Sequence, residues 1–366
     1  MLKTIFVFIN ITHGLIHFIG FAKAFNYINI FQLAKEIAKP IGLLWLITGC
    51  LFLLSMLFYS FKKEQWMYFA FGAIVLSQML IIINWQAAKY GTIINILIFT
   101  ISIIGFFQTR FKNIYKKEVN KGLVESIALS KNLLTETTIA HLPLQVRKYI
   151  HYTGFANKPI INNFKINFKG KIRNHAKPVW MPLTTEQYNF IKTPTRLFYF
   201  NATMKGLPVS GFHCFKNGVA YMDIRLLSIF KVEYQSGAVM NISETVTFFN
   251  DMCVLAPGAL IDKRIKWLEY EENIVSASFT NNNITISALL HFNEKGELVN
   301  FTSKDRSALG ENGKTEKLKW STPLRDYKSI NGYKLATYAE AIYTYPTGDF
   351  TYATFELKNI SYNLLK

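Results

Sequence analysis

Two histidines four residues apart, His13 and His17, lie in an uncharged apolar run near the start of the chain. On a helix both would project from one face together with Asn10, Gly14 and Gly20. Histidines so placed suit a metal, quinone or proton-handling site, completed by Gln78 or Asn84 and by Asn95 from neighbouring segments. They equally suit a seam of small and polar residues that packs one helix into a bundle. Haem fits poorly, because its two axial ligands must approach from opposite faces. Elsewhere, Glu244, Asp251, Cys253, His213 and His291 make up the acid, base and nucleophile set. A Cys–His pair activates a thiolate only within hydrogen-bond reach, and nothing in the spacing brings these two types together. Three cysteines are too few and too scattered for a disulfide framework or a thiolate metal site. No phosphate loop, Gly-x-Ser-x-Gly turn or dinucleotide fingerprint is present. No catalytic residue, cofactor or metal is therefore assigned.

The elements that must position these residues fall into two textures. Between Lys3 and Lys23, Pro40 and Lys62, Glu64 and Lys89, and Lys89 and Arg110, the chain runs without a charge. Each run is about twenty residues, enough to cross a hydrocarbon layer of roughly 30 Å. Four transmembrane helices are expected over residues 1–109. The first is read as a retained span, since no small-residue cleavage site follows it before Lys23. The amphipathic piece Ala24–Lys39 reads as an interfacial connection. Trp66, Trp85 and Tyr90 suit the aromatic belt at the span ends. With the N-terminus inside, Lys3, Lys62, Lys63, Arg110, Lys112, Lys116 and Lys117 lie inside, against Lys23, Lys35, Lys39 and Lys89 outside. This excess places both termini, and everything after the fourth span, in the cytoplasm beneath the cell inner membrane.

The net charge is +18, split evenly about residue 117. Before it the bases flank apolar spans, where anionic lipid attracts them. No nucleic-acid-binding signature accompanies them, so nucleic acid is not an expected partner. Residues 110–158 read as a basic juxtamembrane linker with one or two short helices, broken at Pro143 and ended at Gly154.

From residue 159 to 366 the period drops to two. Phe164, Ile166 and Phe168 alternate with Lys165, Asn167 and Lys169, as do Ile284, Ile286, Ala288 and Leu290 with Thr285 and Ser287. Turn signals recur at Asn217-Gly218, Ser236-Gly237, Asn281-Asn282-Asn283, Lys295-Gly296, Asn312-Gly313, Asn331-Gly332 and Thr347-Gly348-Asp349. About ten or eleven strands joined by short turns make an antiparallel meander, large enough to curl. The fold class expected is thus a four-helix membrane domain plus an α+β domain, a large curved antiparallel sheet, half-barrel-like, with inserted helices.

One inserted helix is expected near 241–256. Asn241 and Glu244 have capping-box spacing, and Pro257-Gly258 stops the helix. Thr245, Phe248, Phe249 and Met252 share one face, and Glu244, Thr247 and Asp251 the other. Asn250-Asp251 suits closure of the helix end or a bond to a neighbouring strand. The sheet is rich in rings, Trp180 and Trp267 among them. Either they fill the core beneath the sheet, or with Phe248, Phe249 and Met252 they line a pocket for an acyl chain or similar hydrophobic ligand.

The run Glu244 to Pro257, with Met204-Lys-Gly-Leu-Pro-Val209 before it and Gly348-Asp-Phe-Thr-Tyr352 after it, resembles a bacterial family known only as a domain of unknown function. So do His13 to Gly20, Gly42-Leu-Leu-Trp45 and Trp85 to Thr92. The resemblance covers nearly the whole chain and implies no activity. In architecture alone the expected sheet is similar to the half-barrel of Lol-type lipoprotein carriers. These expectations converge on a module, anchored in the lipid bilayer, that binds or transfers a lipid or other hydrophobic ligand. A membrane-bound enzyme using the His13/His17 seam or the Asp251/Cys253 region is the alternative, and a protein-interaction platform a third. The spacing is silent on oligomeric state.

Overall fold

The computed structural model describes residues 2–28, 36–126, 132–174, 178–309 and 315–365, and for residues 2, 269, 270 and 309 the backbone only. The chain divides into two compact units, Met1–Phe111 and Lys112–Lys366.

In the first unit, α1 (Leu2–Ala24), α2 (Lys39–Ser60), α3 (Trp66–Ile83), the single turn α4 (Trp85–Ala88) and the first part of α5 (Gly91–Ser126) follow one another. The four long helices are each long and apolar enough to cross a membrane. Their inner faces meet at Phe6, Phe52, Met56, Met67, Ala70, Ala73 and Ile98. Their outer faces are also apolar, with Phe8, Leu57, Ile82 and Ile96 exposed. Glycines let α1 and α2 touch: a Cβ on Gly49 would lie 2.8 Å from the Gly14 carbonyl oxygen, and one on Gly20 would lie 2.3 Å from Trp45. The interfacial piece expected over Ala24–Lys39 falls partly on residues 29–35, outside the described residues. The fourth long helix does not stop near residue 109; it continues through the basic cluster to Ser126, because its sequence holds neither Pro nor a C-capping motif there.

In the second unit, α6 (Glu136–Ile139) and α7 (Leu144–Thr153) lead into the sheet. Gly154 ends α7 in the left-handed conformation. The strands are β1 (Asn163–Ile172), β2 (Met181–Phe190), β3 (Thr195–Met204), β4 (Leu207–Lys216), β5 (Val219–Leu226) and β6 (Phe230–Ser236). After α8 (Ala238–Leu255) come β7 (Ile265–Glu271), β8 (Ile274–Asn281), β9 (Ile284–Phe292), β10 (Leu298–Ser303), β11 (Ser307–Leu309), β12 (Thr315–Lys317), β13 (Lys319–Ile330), β14 (Tyr333–Tyr345) and β15 (Gly348–Tyr362). Thirteen strands form one antiparallel, unclosed sheet in the order β6-β5-β4-β3-β2-β1-β15-β14-β13-β10-β9-β8-β7, with β11 and β12 apart as a pair. That exceeds the ten or eleven strands expected. Lys205-Gly206 and Leu227-Ser228, not read as turn signals, also turn the chain with positive φ. The Asn312-Gly313 signal lies outside the described residues.

Strands β6 and β7 are the two edges of the sheet, and α8 is the chain between them, so the helix spans from one edge to the other. It packs against β4, β5, β9, β10 and β14 and is buried on all sides from Ser243 to Leu255. The Asn241 cap is not formed. Gly237, at φ 97°, turns the chain out of β6 so that the helix begins at Ala238, and Asn241 Oδ1 instead accepts from the Ala220 backbone N–H at 2.7 Å.

Candidate functional site

Alternation on β2, β3 and β4 sends one set of side chains toward α8. Register places Asn189 beside Arg196 and Gln187 beside Phe198, then Phe198 beside His213 and Phe200 beside Gly211. Gly211 is required by close approach: a Cβ there would meet the Phe200 ring at 2.1 Å. From the helix, Glu244, Thr247, Asn250 and Asp251 face the same space, a cavity of about 140 Å³. Counting the part open to solvent, the cleft holds about 1010 Å³ of empty space. Its opposite wall is apolar, with Phe168, Leu183, Phe198, Phe200 and Phe355.

The polar end is an ion network. Arg196 Nε donates to Asp251 Oδ2 at 2.8 Å and Nη1 to Glu244 Oε2 at 3.1 Å. Its Nη2 donates to Gln187 Oε1 at 3.3 Å. Gln187 and Asn189 donate to the same Asp251 oxygen at 2.7 and 3.2 Å. Arg306 donates to the Tyr343 hydroxyl at 2.8 Å and to Thr247 Oγ1, lies 3.9 Å from Glu244 Oε1 and stacks on Trp320. Glu244 is 1% exposed and Arg196 8%. Buried charges persist only when paired and hydrogen-bonded, and that condition is met here. Burial pushes the Glu244 carboxyl upward, but Arg196 and Arg306 outweigh it and hold it below the ordinary range. For Asp251, burial outweighs Arg196 and the two amides, and the carboxyl is raised. Burial lowers His213 to about 4, so its imidazole is neutral at neutral pH.

Of the residues singled out from sequence, Glu244, Asn250 and Asp251 line this cavity, whereas Trp180, Phe248, Phe249, Met252 and Trp267 do not. Phe248, Phe249 and Met252 are fully buried in the core, with Phe249 stacked on Phe279 and edge-on to Phe301. Trp180 is half-buried between Lys171 and Arg173, and Trp267 packs at the margin of the core. Cys253 is also core, and burial pushes its thiol well up. His291, on β9, pairs with Thr302. Arg196, Arg306, Gln187 and Asn189 were missed by sequence reasoning. The signal that could have found Arg196 is a lone charge at an inward position of the otherwise apolar run Arg196 to Phe200.

In the first unit, His13 and His17 join residues of α3 and α5. His13 Nε2 donates to Asn95 Oδ1 at 3.0 Å, and His17 Nδ1 donates to the His13 carbonyl at 2.8 Å. His17 Nε2 then accepts from the Ser77 hydroxyl at 2.9 Å. Asn95 Nδ2 donates to Ser77 Oγ and to Gln78 Oε1, both at 3.1 Å. Asn84 stays outside the network, bonded to the Leu80 carbonyl of its own helix. Such a closed set of partners is what a polar packing seam between apolar helices requires. Among the described residues, no three His, Cys, Asp or Glu side chains are grouped to hold a metal.

The family model described as "Family of unknown function (DUF6544)" matches residues 132–355, more than half of the chain, and the chain belongs to that family. No curated protein matches it. Among solved structures it is similar to a LolA superfamily protein from Nitrosomonas europaea, at 10% identity and a TM-score of 0.34, covering 61% of this chain and 93% of that one. It is likewise similar to a DUF1329 family protein from Desulfovibrio piger, at 10% identity and a TM-score of 0.36, covering 64% of this chain and 95% of that one.

Proposed function

We propose that this member of a family of unknown function binds a hydrophobic ligand in the cleft between α8 and the sheet, and presents or transfers it at the membrane in which its four long helices sit. The single observation that carries the reading is the two-sided cleft, with rings and aliphatic side chains on one wall and a polar cluster whose charges are paired on the other. An apolar cavity of about 150 Å³ takes up a benzene-sized group. The cavity of about 140 Å³ therefore suits a ring or a short stretch of chain, with the rest of the ligand lying in the wider cleft. The exposed apolar side chains of the helices suit contact with hydrocarbon, the solvent in which such faces are stable. The excess of bases at one set of helix ends supports an inner-membrane orientation with the C-terminal unit in the cytoplasm.

Two measurements test this. Native mass spectrometry of the full chain in mild detergent should show a co-purifying lipid-like adduct that is lost in Ala336→Phe, which places a ring in the cavity from β14. Absence of any adduct, together with failure to take up added acyl probes, refutes ligand binding. A reporter active only in the periplasm, fused after Lys366, should stay silent; strong signal refutes the orientation alone.

A further inference from the structure

We propose that the ligand of this cleft carries a neutral hydrogen-bonding head, a hydroxyl above all, rather than a carboxylate, phosphate or ammonium; the inference rests on the ligand-binding reading above. Five charged residues line the cavity: Arg196, Arg306, Glu244, Asp251 and Glu340. Glu340 is paired with Arg325, so two cations face two carboxylates and the charges of the cavity balance. An anionic head would need a cation whose charge is not already matched, and neither arginine offers one. Arg196 spends its three nitrogens on Asp251, Glu244 and Gln187. Arg306 donates to Tyr343 and Thr247 and lies 3.9 Å from Glu244, which matches its charge. Seating an anion would add an unmatched charge to a buried site whose charges already balance.

Beside the remaining N–H groups of the two charge-matched arginines, the polar groups left over in the cavity wall are neutral, or are acceptors on a carboxylate already paired. Among the described residues the His213 ring and the Asn250 amide have no hydrogen-bond partner, and Asn250 Oδ1 is fully buried without one. Asn250 is 7% exposed. A buried amide without a partner costs stability that a ligand can restore. Imidazole and amide each donate and accept, and His213 is neutral at neutral pH. All three donors to Asp251 converge on Oδ2, which leaves Oδ1 to accept from an O–H. A hydroxyl both donates and accepts, and so matches this set without bringing a net charge into the cavity. An ammonium only donates, and its desolvation is costly beside carboxylates that Arg196 and Arg306 already neutralise.

Three ten-carbon probes that differ only in the head group test the assignment. The full chain in mild detergent is exposed, near neutral pH, to decanol, decanoate and decylamine at equal free concentration, and bound probe is read by native mass spectrometry. Decanol should be retained about tenfold more than either charged probe, the weight of one well-made buried hydrogen bond. Asn250→Leu and His213→Phe should each remove most of that preference. Retention of decanoate or decylamine at least equal to decanol overturns the head-group assignment but leaves ligand binding standing. So does a preference that survives both variants. Retention of none of the three overturns the assignment and the ligand-binding reading together.

Discussion

Arg196→Met is the most direct probe of how the polar end of the cleft is held. The change keeps bulk and removes the one cation that touches both helix acids, at 2.8 Å to Asp251 and 3.1 Å to Glu244. At an effective dielectric of about 20 each contact is worth about 5–6 kcal/mol before desolvation. Removing the guanidinium also removes the cost of burying it. The net loss is therefore set by the two carboxylates left behind, about 3–5 kcal/mol. For a unit of this size that lowers the unfolding midpoint by about 6–10 °C. The loss should depend on pH. In the wild type Arg196 and Arg306 keep Glu244 below its ordinary pKa; without Arg196 both carboxyls move upward in the folded state. A raised folded pKa contributes stability at low pH that disappears as pH rises through it, so the deficit should be smallest near pH 4 and grow toward about pH 7. Adding Asp251→Asn should restore part of the loss, since it removes one of the stranded charges. The assay is thermal unfolding of the full chain in detergent across this pH range. A loss below about 1 kcal/mol, or one that does not change with pH, refutes the claim that this network is buried and mutually compensating.

Phe249→Ala, which empties a site between Phe279 and Phe301, should cost about 3–5 kcal/mol in thermal or denaturant unfolding, as core residues do and pocket-lining residues do not. His213 is held near 4 when folded, against 6.5 unfolded, so it contributes stability above pH 6.5 that is lost as pH falls toward 4. His213→Phe should therefore flatten the midpoint-versus-pH curve in that window by about 2 kcal/mol, the full linkage value being reduced by the ring's partial exposure. Gly49→Ala forces a methyl to within 2.8 Å of the Gly14 carbonyl oxygen. The helices α1 and α2 must then separate, and the first unit should lose about 1–3 kcal/mol, read as a lower aggregation temperature in detergent; an unchanged value means that the helices do not pack through this seam.

What was legible in the sequence is what local physics dictates. Four runs without charge identify four long apolar helices, because a span of that length cannot hold an unpaired ion in hydrocarbon. Asn217-Gly218 and Asn331-Gly332 identify hairpins, because both residues of each pair must take positive φ, as they do here. Helical spacing also sorted α8 into a ring-bearing face and an acid-bearing face. It could not say which face meets empty space. In a sheet whose edges are joined by the helix itself, both faces of the helix are covered, and its own rings Phe248 and Phe249 do not line the cleft: they fill the core, while Glu244, Asn250 and Asp251 look into the cleft. Glu244 read locally as a cap, since a carboxylate early in a helix has a partner in the backbone. Its actual partner, Arg196, is 48 residues away on β3, an interior strand of the sheet. Periodicity fixes which side chains share a face; only long-range strand pairing, which brings distant charges to within about 3 Å of one another, decides what that face is opposite.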